Sequence, residues 1–335
     1  MEATTFNLEE KRLSKEITKR GAKRVLIQLP EGLKTEGPRL AAIAEKTGAL
    51  AVVSADPCYG ACDLATLDAK NLDADLIIHY GHSKMIEQEQ VPTIYLEAKA
   101  NVRVKEAVKK AIPLLKSWSK IGLITTLQHV QELDETRQLL LEAEKTIAIG
   151  DAGHLKHPGQ VTGCDYSNAK SVSKEIEAFL FVGGGRFHAL GAMLATAKPT
   201  IIADPFEKRA YSIEKEAQRI LRQRWASIHE AKKAENLGVL VGLKTGQKRL
   251  KEALKIKEKL EKSGKKATLL AVREIVPEVL MQFPSIGAFV NTACPRVALD
   301  EASKFDKPVL TVTETLVLLG ETNWEELCRK GLFGN

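Results

Sequence analysis

Short apolar, β-branched runs alternate along the whole chain with segments whose apolar residues recur at helical spacing. That alternation is the pattern of βαβ units built around parallel sheets. Three series of runs correspond to one another. The opening strands are Arg24–Leu29 (RVLIQL), Ile121–Thr126 (IGLITT) and Leu237–Leu243 (LGVLVGL). Each series continues with an apolar strand that runs into a loop of small or polar residues: ADLIIHYGHS from Ala74, AFLFVGGGRFH from Ala178 and IGAFVNTACPR from Ile286. The closing strands are VPTIYLE from Val91, KPTIIAD from Lys198 and KPVLTVT from Lys307, whose prolines 92, 199 and 308 lie 107 and 109 residues apart. A period of this kind marks a repeated structural unit. The expected fold is α/β: three repeated small parallel-sheet domains, residues 1–102, 103–232 and 233–335, arranged around a shared central site. A long charged helix, about 207 to 234, is expected after the Asp204-Pro205 break, with Leu221 and Trp225 on its inner side.

Composition narrows the function classes. At 335 residues, 44% hydrophobic and 28% charged, the chain reads as an ordinary globular protein of two or three domains. No apolar run approaches membrane-spanning length and the N-terminal stretch lacks a signal-type core, so a cytoplasmic protein is expected. The net charge of +7 comes from 50 basic residues interspersed with 43 acidic ones, which permits an acidic partner without demanding one. The most basic stretch, Lys248 to Lys262, carries Leu250, Ala253, Leu254 and Leu260 at helical spacing, so its lysines read as a solvated face. Aromatic residues are 5% of the chain and do not interleave with basic clusters, which argues against a nucleic-acid stacking surface.

Five cysteines, an odd number without a disulfide framework, fit a reducing compartment where thiols serve metal or redox chemistry. Cys62, Cys164 and Cys294 each lie in a loop after a strand, one in each repeat. Their separations of 102 and 130 residues match no local zinc or ferredoxin spacing. Two readings are open on spacing alone: unrelated buried thiols, or a three-thiolate site assembled by the fold and suited to an iron–sulfur cluster with one open iron. Cys58 is a second thiol four residues before Cys62, and Cys328 reads as a packing residue in an amphipathic segment. The glycine run at Gly183 departs from a dinucleotide fingerprint at His188, the stretch from Gly242 to Lys248 has the wrong spacing for a P-loop, and no G-x-S-x-G elbow occurs. Post-strand loops supply candidate cofactor-binding residues in Gln128, Gln160, Gly183, Gly185 and His188, while His82 and His129 read as hydrogen-bonded loop histidines.

RVLIQLPEG, YGACD, HYGHS, TTLQH, PGQVTGCD, GGGRFHALG, ADPF, LKTGQ and ACPR, in this order over nearly the whole chain, resemble the archaeal 2-(3-amino-3-carboxypropyl)histidine synthase family of diphthamide biosynthesis. The resemblance implies a homodimeric, noncanonical radical enzyme whose 4Fe–4S cluster is held by Cys62, Cys164 and Cys294. It further implies S-adenosyl-L-methionine as co-substrate and an external electron donor. The 3-amino-3-carboxypropyl group would pass as a radical to C2 of a histidine imidazole on translation elongation factor 2, with no role for nucleic acid or membrane. Cys58 and a short tail after Thr313 depart from the family pattern. Two other readings are a quinolinate-synthase-like 4Fe–4S dehydratase and a non-catalytic binding scaffold.

Overall fold

The computed structural model describes residues 5–87 and 89–333. The outer ends of the first and third expected domains, with the start of the N-terminal segment, lie outside the described residues. Among the described residues three larger sheets follow one another along the chain, beside a two-stranded antiparallel ribbon that pairs Phe6–Asn7 with Lys99–Ala100. The first contains β1 (Arg24–Gln28), β2 (Leu50–Val53), β3 (Leu76–Tyr80) and β4 (Thr93–Leu96). The second contains β5 (Lys120–Thr125), β6 (Thr146–Ala148), β7 (Ala178–Val182), β8 (Thr200–Asp204) and β9 (Arg209–Ser212). The third contains β10 (Asn236–Gly242), β11 (Lys266–Val272), β12 (Ala288–Asn291) and β13 (Val309–Thr311).

Spatial order is the same in all three: second strand, first, third, fourth, that is β2-β1-β3-β4, β6-β5-β7-β8 and β11-β10-β12-β13. All these pairings are parallel, and β9 adds an antiparallel edge to β8. β3, β7, β8 and β12 are buried at every position, which is why LIIHY, AFLFV, TIIAD and AFVN read as unbroken apolar runs rather than alternating ones. Each fully buried large side chain, such as Phe179 or Leu26, contributes about 1.5–3 kcal/mol. The first sheet has its own core around Val25, Ile27, Leu40 and Ile78. The second and third share one, which runs from Phe181 and Ile202 through Ile220 to Val239, Val290 and Leu310.

The first strands of the second and third sheets use one packing device. Gly122 in β5 pairs with Phe179 in β7, and Gly238 in β10 pairs with Phe289 in β12. A Cβ at either glycine would come within 2.5 Å and 2.7 Å of the respective ring. Gly238→Ala is therefore expected to cost about 1–3 kcal/mol through overpacking, read as a lower urea midpoint at unchanged slope.

Two helix faces differ from the sequence reading. The long helix is α2 (Glu214–Lys232), because Arg209–Ser212 is taken up by β9. It buries Ala217, Ile220, Arg224, Ile228 and Ala231 against α5 (Val312–Leu318) and β13. Trp225, expected inside, is 37% exposed and packs on His229 and Trp324. The basic helix is α3 (Leu250–Lys262), whose inner face is Ala253, Ile256 and Leu260. Leu250 and Leu254, assigned to that face from spacing, are about half exposed, since the helix begins only at Leu250 and its contact stripe follows the 253–256–260 phase. Arg224 is fully buried in a bidentate pair with Glu314, its Nε and Nη2 each donating at 2.7 Å, and Nη2 also reaches the Val309 carbonyl at 2.7 Å. Glu314 closes a capping box with Thr311 at the start of α5. No helix among the described residues is long and apolar enough to cross a membrane.

Candidate functional site

Ligands of open parallel sheets bind beyond the carboxyl ends of the strands, and three thiols emerge from such ends. Cys62 lies in the loop after β2, Cys164 after β6 and Cys294 after β12. The Cys62 loop is tied to the end of β1 by Gln28, whose Nε2 donates to the Asp63 carbonyl at 2.6 Å and whose Oε1 accepts from the Ala65 N–H at 3.2 Å. The third sheet closes on this loop from the other side. A Cβ at Gly246 would sit 2.6 Å from Cys62 Cα, so only glycine lets the two backbones meet. Gln247 Nε2 then donates to Cys62 Sγ at 3.5 Å, and Thr245 Oγ1 donates to the Leu64 carbonyl at 3.2 Å. Lys244 bridges Asp63 at 2.8 Å and Glu274 at 2.7 Å. Burial works against its charge, but these hydrogen bonds outweigh it and hold the ammonium above its ordinary range.

Cys294 caps the short helix α4 (Pro295–Asp300), and the Asn291 side chain clamps its backbone, accepting from the Cys294 N–H at 3.2 Å and donating to its carbonyl at 2.7 Å. Two residues on, Arg296 is only 5% exposed. It pairs with Asp300, donates to the Phe187 carbonyl at 2.8 Å and to the Tyr166 hydroxyl at 3.1 Å, and lies 3.8 Å over the Phe187 ring. Tyr166 in turn donates to the Gly163 carbonyl at 3.3 Å, next to Cys164. Arg296 thus fastens the Cys294 loop of the third sheet to the Cys164 loop of the second.

Burial raises all three thiols. Burial pushes Cys164 up to about 11, and the Cys62 and Cys294 thiols push it in the same direction. Cys62 is raised by burial and by Cys294, against the pull of the Gln247 hydrogen bond. Cys294 is raised by burial, against the Arg296 and Val297 N–H groups and the Arg296 charge. Among the described residues, the group whose ligand atoms all lie within 4.8 Å of one another is a different one, Cys58, His79 and His82. An N–H donor aimed at a ligand sulfur, as Gln247 is at Cys62, is the kind of surrounding iron–sulfur clusters use.

The other candidate residues are distributed around this centre. His188, half-buried at the start of α1 (Phe187–Thr196), stacks on Phe181 and meets Phe187 edge-on. Burial lowers it to about 3, and the charge of Arg296 from the third sheet and His82 from the first add to that shift. Gln128 donates to the Gly81 carbonyl at 2.8 Å, and Gln160 donates to Ser83 Oγ at 3.4 Å while accepting from the His157 N–H, so both hold the second sheet against the HYGHS loop of the first. Gly183 lies against the Phe181 ring and the Gly185 N–H donates to Asp204. His129, expected to be hydrogen-bonded, is buried with Nδ1 unpartnered among the described residues, because its ring is packed edge-on against Phe206. Cys328 is half-buried in the helix Trp324–Lys330. Gln28, His79, Tyr166, Lys244, Gln247 and Arg296 were given no role from sequence, although Gln28, His79, Lys244, Gln247 and Arg296 lie within the quoted motifs and Tyr166 follows PGQVTGCD directly.

Comparison with known proteins agrees with this arrangement. The family model for diphthamide synthesis proteins matches residues 29–328. A 2-(3-amino-3-carboxypropyl)histidine synthase from Pyrococcus horikoshii is 42% identical over 308 residues, covering 91% of this chain and 88% of the relative. Subunit 1 of the Kluyveromyces lactis 2-(3-amino-3-carboxypropyl)histidine synthase is 30% identical, over 94% of this chain and 76% of its own. The crystal structure of Dph2 from Pyrococcus horikoshii with a 4Fe–4S cluster superposes with a TM-score of 0.87 at 40% identity, covering 95% of this chain and 92% of that one. A sequence match over most of both chains and a shared overall fold lead to one conclusion: the chain belongs to the diphthamide synthesis protein family and is a transferase of the 2-(3-amino-3-carboxypropyl)histidine synthase type.

Proposed function

We propose that the protein transfers the 3-amino-3-carboxypropyl group of S-adenosyl-L-methionine to C2 of a histidine imidazole on translation elongation factor 2, the first step of diphthamide synthesis. The observation that carries the reading is that Cys62, Cys164 and Cys294 leave the strand ends of the three sheets on loops fastened to one another, the Cys62 loop by Gly246 and Gln247 and the Cys164 and Cys294 loops by Arg296 and Tyr166. They fit a 4Fe–4S cluster by donor chemistry: three thiols, the Gln247 amide directed at the Cys62 sulfur, and a glycine backbone at Gly246. When bound, such a cluster supplies the single electron that opens the bond between the sulfonium and the methionine γ-carbon.

The chain's own residues hold and insulate that centre. Arg296 and Lys244 bring buried positive charge beside thiolates that burial alone would disfavour. Gln128, Gln160, Gly183, Gly185 and His188 are proposed to border the co-substrate, with His188 held neutral by its surroundings. The protein works as a cytoplasmic homodimer with an external reductant, on the three domains 1–102, 103–232 and 233–335.

After anaerobic reconstitution and reduction, S-adenosyl-L-methionine is expected to yield methylthioadenosine, and elongation factor 2 to gain one aminocarboxypropyl group on a single histidine, followed by chromatography and mass spectrometry. Formation of 5′-deoxyadenosine alone would exclude the γ-carbon cleavage. Equal transfer to free histidine would remove the protein substrate.

A further inference from the structure

A second donor group, tighter than the three-cysteine centre, lies beside it. Sγ of Cys58 and a ring nitrogen each of His79 and His82 are all within 4.8 Å of one another. Cys58 and His79 are 2% and 0% exposed, and His82 is half-buried, which leaves one way in. Cys58 belongs to the loop that also carries Cys62, whereas His79 lies in β3 and His82 in the turn just after it.

The tautomer of His79 is set by its surroundings. Gln28 is pinned at both ends of its amide, Nε2 on the Asp63 carbonyl and Oε1 beneath the Ala65 N–H, so it is Oε1 that faces His79 Nδ1 at 2.9 Å. An acceptor there requires Nδ1 to carry the proton, and a neutral imidazole then has its lone pair on Nε2. That lone pair points at His82 Nδ1, 3.0 Å away. An amide holding one ring nitrogen while the other faces a donor cluster is the arrangement found behind histidine metal ligands. A tetrahedral ion with metal–nitrogen bonds of about 2.0–2.1 Å would set the two nitrogens roughly 3.3 Å apart, a small opening from the observed spacing. A hydrogen bond between the two rings would account for the histidines by themselves, but it gives no role to the thiol that completes the triangle.

We propose that Cys58, His79 and His82 bind one zinc ion, distinct from the three-cysteine centre, with the fourth position open to water. One thiolate and two imidazoles select zinc over magnesium or calcium, which take oxygen ligands. On binding, the S–H bond of Cys58 is replaced by a zinc–sulfur bond and its proton leaves to solvent. The ion ties the loop bearing Cys62 to the end of β3, so it holds that loop in place whether or not a cluster is present. The proposal does not depend on the transfer reaction.

The test uses cluster-reconstituted protein, cleared of loose ions with a chelator and then supplied with zinc chloride. Elemental analysis and native mass spectrometry are expected to find one zinc per chain beyond the cluster iron, and zinc X-ray absorption to report one sulfur and two nitrogens. Cys58→Ala and His82→Ala each lose the zinc while keeping the iron, and iron retention shows that the variants are folded. Zinc is also expected to raise the melting temperature of the parent protein and not that of Cys58→Ala. Equal zinc in the parent and in Cys58→Ala would overturn the assignment. So would a shell of three sulfurs, which would mean that zinc had taken the sites of Cys62, Cys164 and Cys294.

Discussion

Single replacement of Cys62, Cys164 or Cys294 by alanine is expected to remove most of the iron and visible absorption of the reconstituted protein, and all of its aminocarboxypropyl transfer. Each variant leaves two thiols where three converge, and the loops are fastened too firmly to supply a substitute. Cys294 is clamped by Asn291, and Arg296 locks its loop to that of Cys164. Cys62 is pressed against Gly246 and bonded by Gln247. Cys58 is the nearest spare thiol, yet it is buried among the two histidines, its N–H is directed at Glu31, and burial together with Asp63 pushes its thiol up to about 12. Cys58→Ala is accordingly expected to keep its cluster iron, and Cys328→Ala to keep both iron and activity. The Cys58/Cys62 double variant measures any rescue directly, by comparison of its iron with that of Cys62→Ala. If Cys58→Ala loses iron while Cys62→Ala stays active, the ligand assignment is wrong.

Glu314→Ala is expected to destabilise the protein by about 3–5 kcal/mol, because it strands the Arg224 guanidinium in a fully buried site. The loss also opens the capping box at Thr311. Replacing both partners, Arg224→Met with Glu314→Leu, removes the buried charges together and is expected to recover most of that loss. Denaturant midpoints of the two singles and the double form a cycle whose coupling energy isolates the pair. A single-variant loss below about 1 kcal/mol would be the size of an exposed pair, and would show that water reaches the site.

What was legible in the sequence had a local physical cause. Parallel strands buried on both faces leave continuous apolar runs, so the strand series and their repeat were visible in LIIHY, AFLFV and AFVN. The loops bearing Cys62, Cys164 and Cys294 were visible as small and polar breaks at the strand ends. What was hidden depends on partners far along the chain. Helical spacing gave α3 a stripe but not its phase, since Leu250 and Leu254 are as apolar as Ile256, and only the neighbouring sheet decides which is covered. Arg224 looked like one more charge on a charged helix, because its partner is 90 residues away. Gln28, His79 and Cys58 come from three separate stretches, and no spacing rule joins them.

Gly246 lies with its backbone directly on Cys62, although 184 positions separate them in the chain. A contact of such long range carries the loop-closure entropy of all the intervening segments. The Cys62 loop therefore has its Gly246 contact only when the first and third sheets are docked. A partly folded or truncated chain has cysteines but no pocket, and any ligand specific to the assembled pocket stabilises the finished fold alone. A cluster bound by the three thiols would mark the chains in which all three sheets have docked and pass over those that have not.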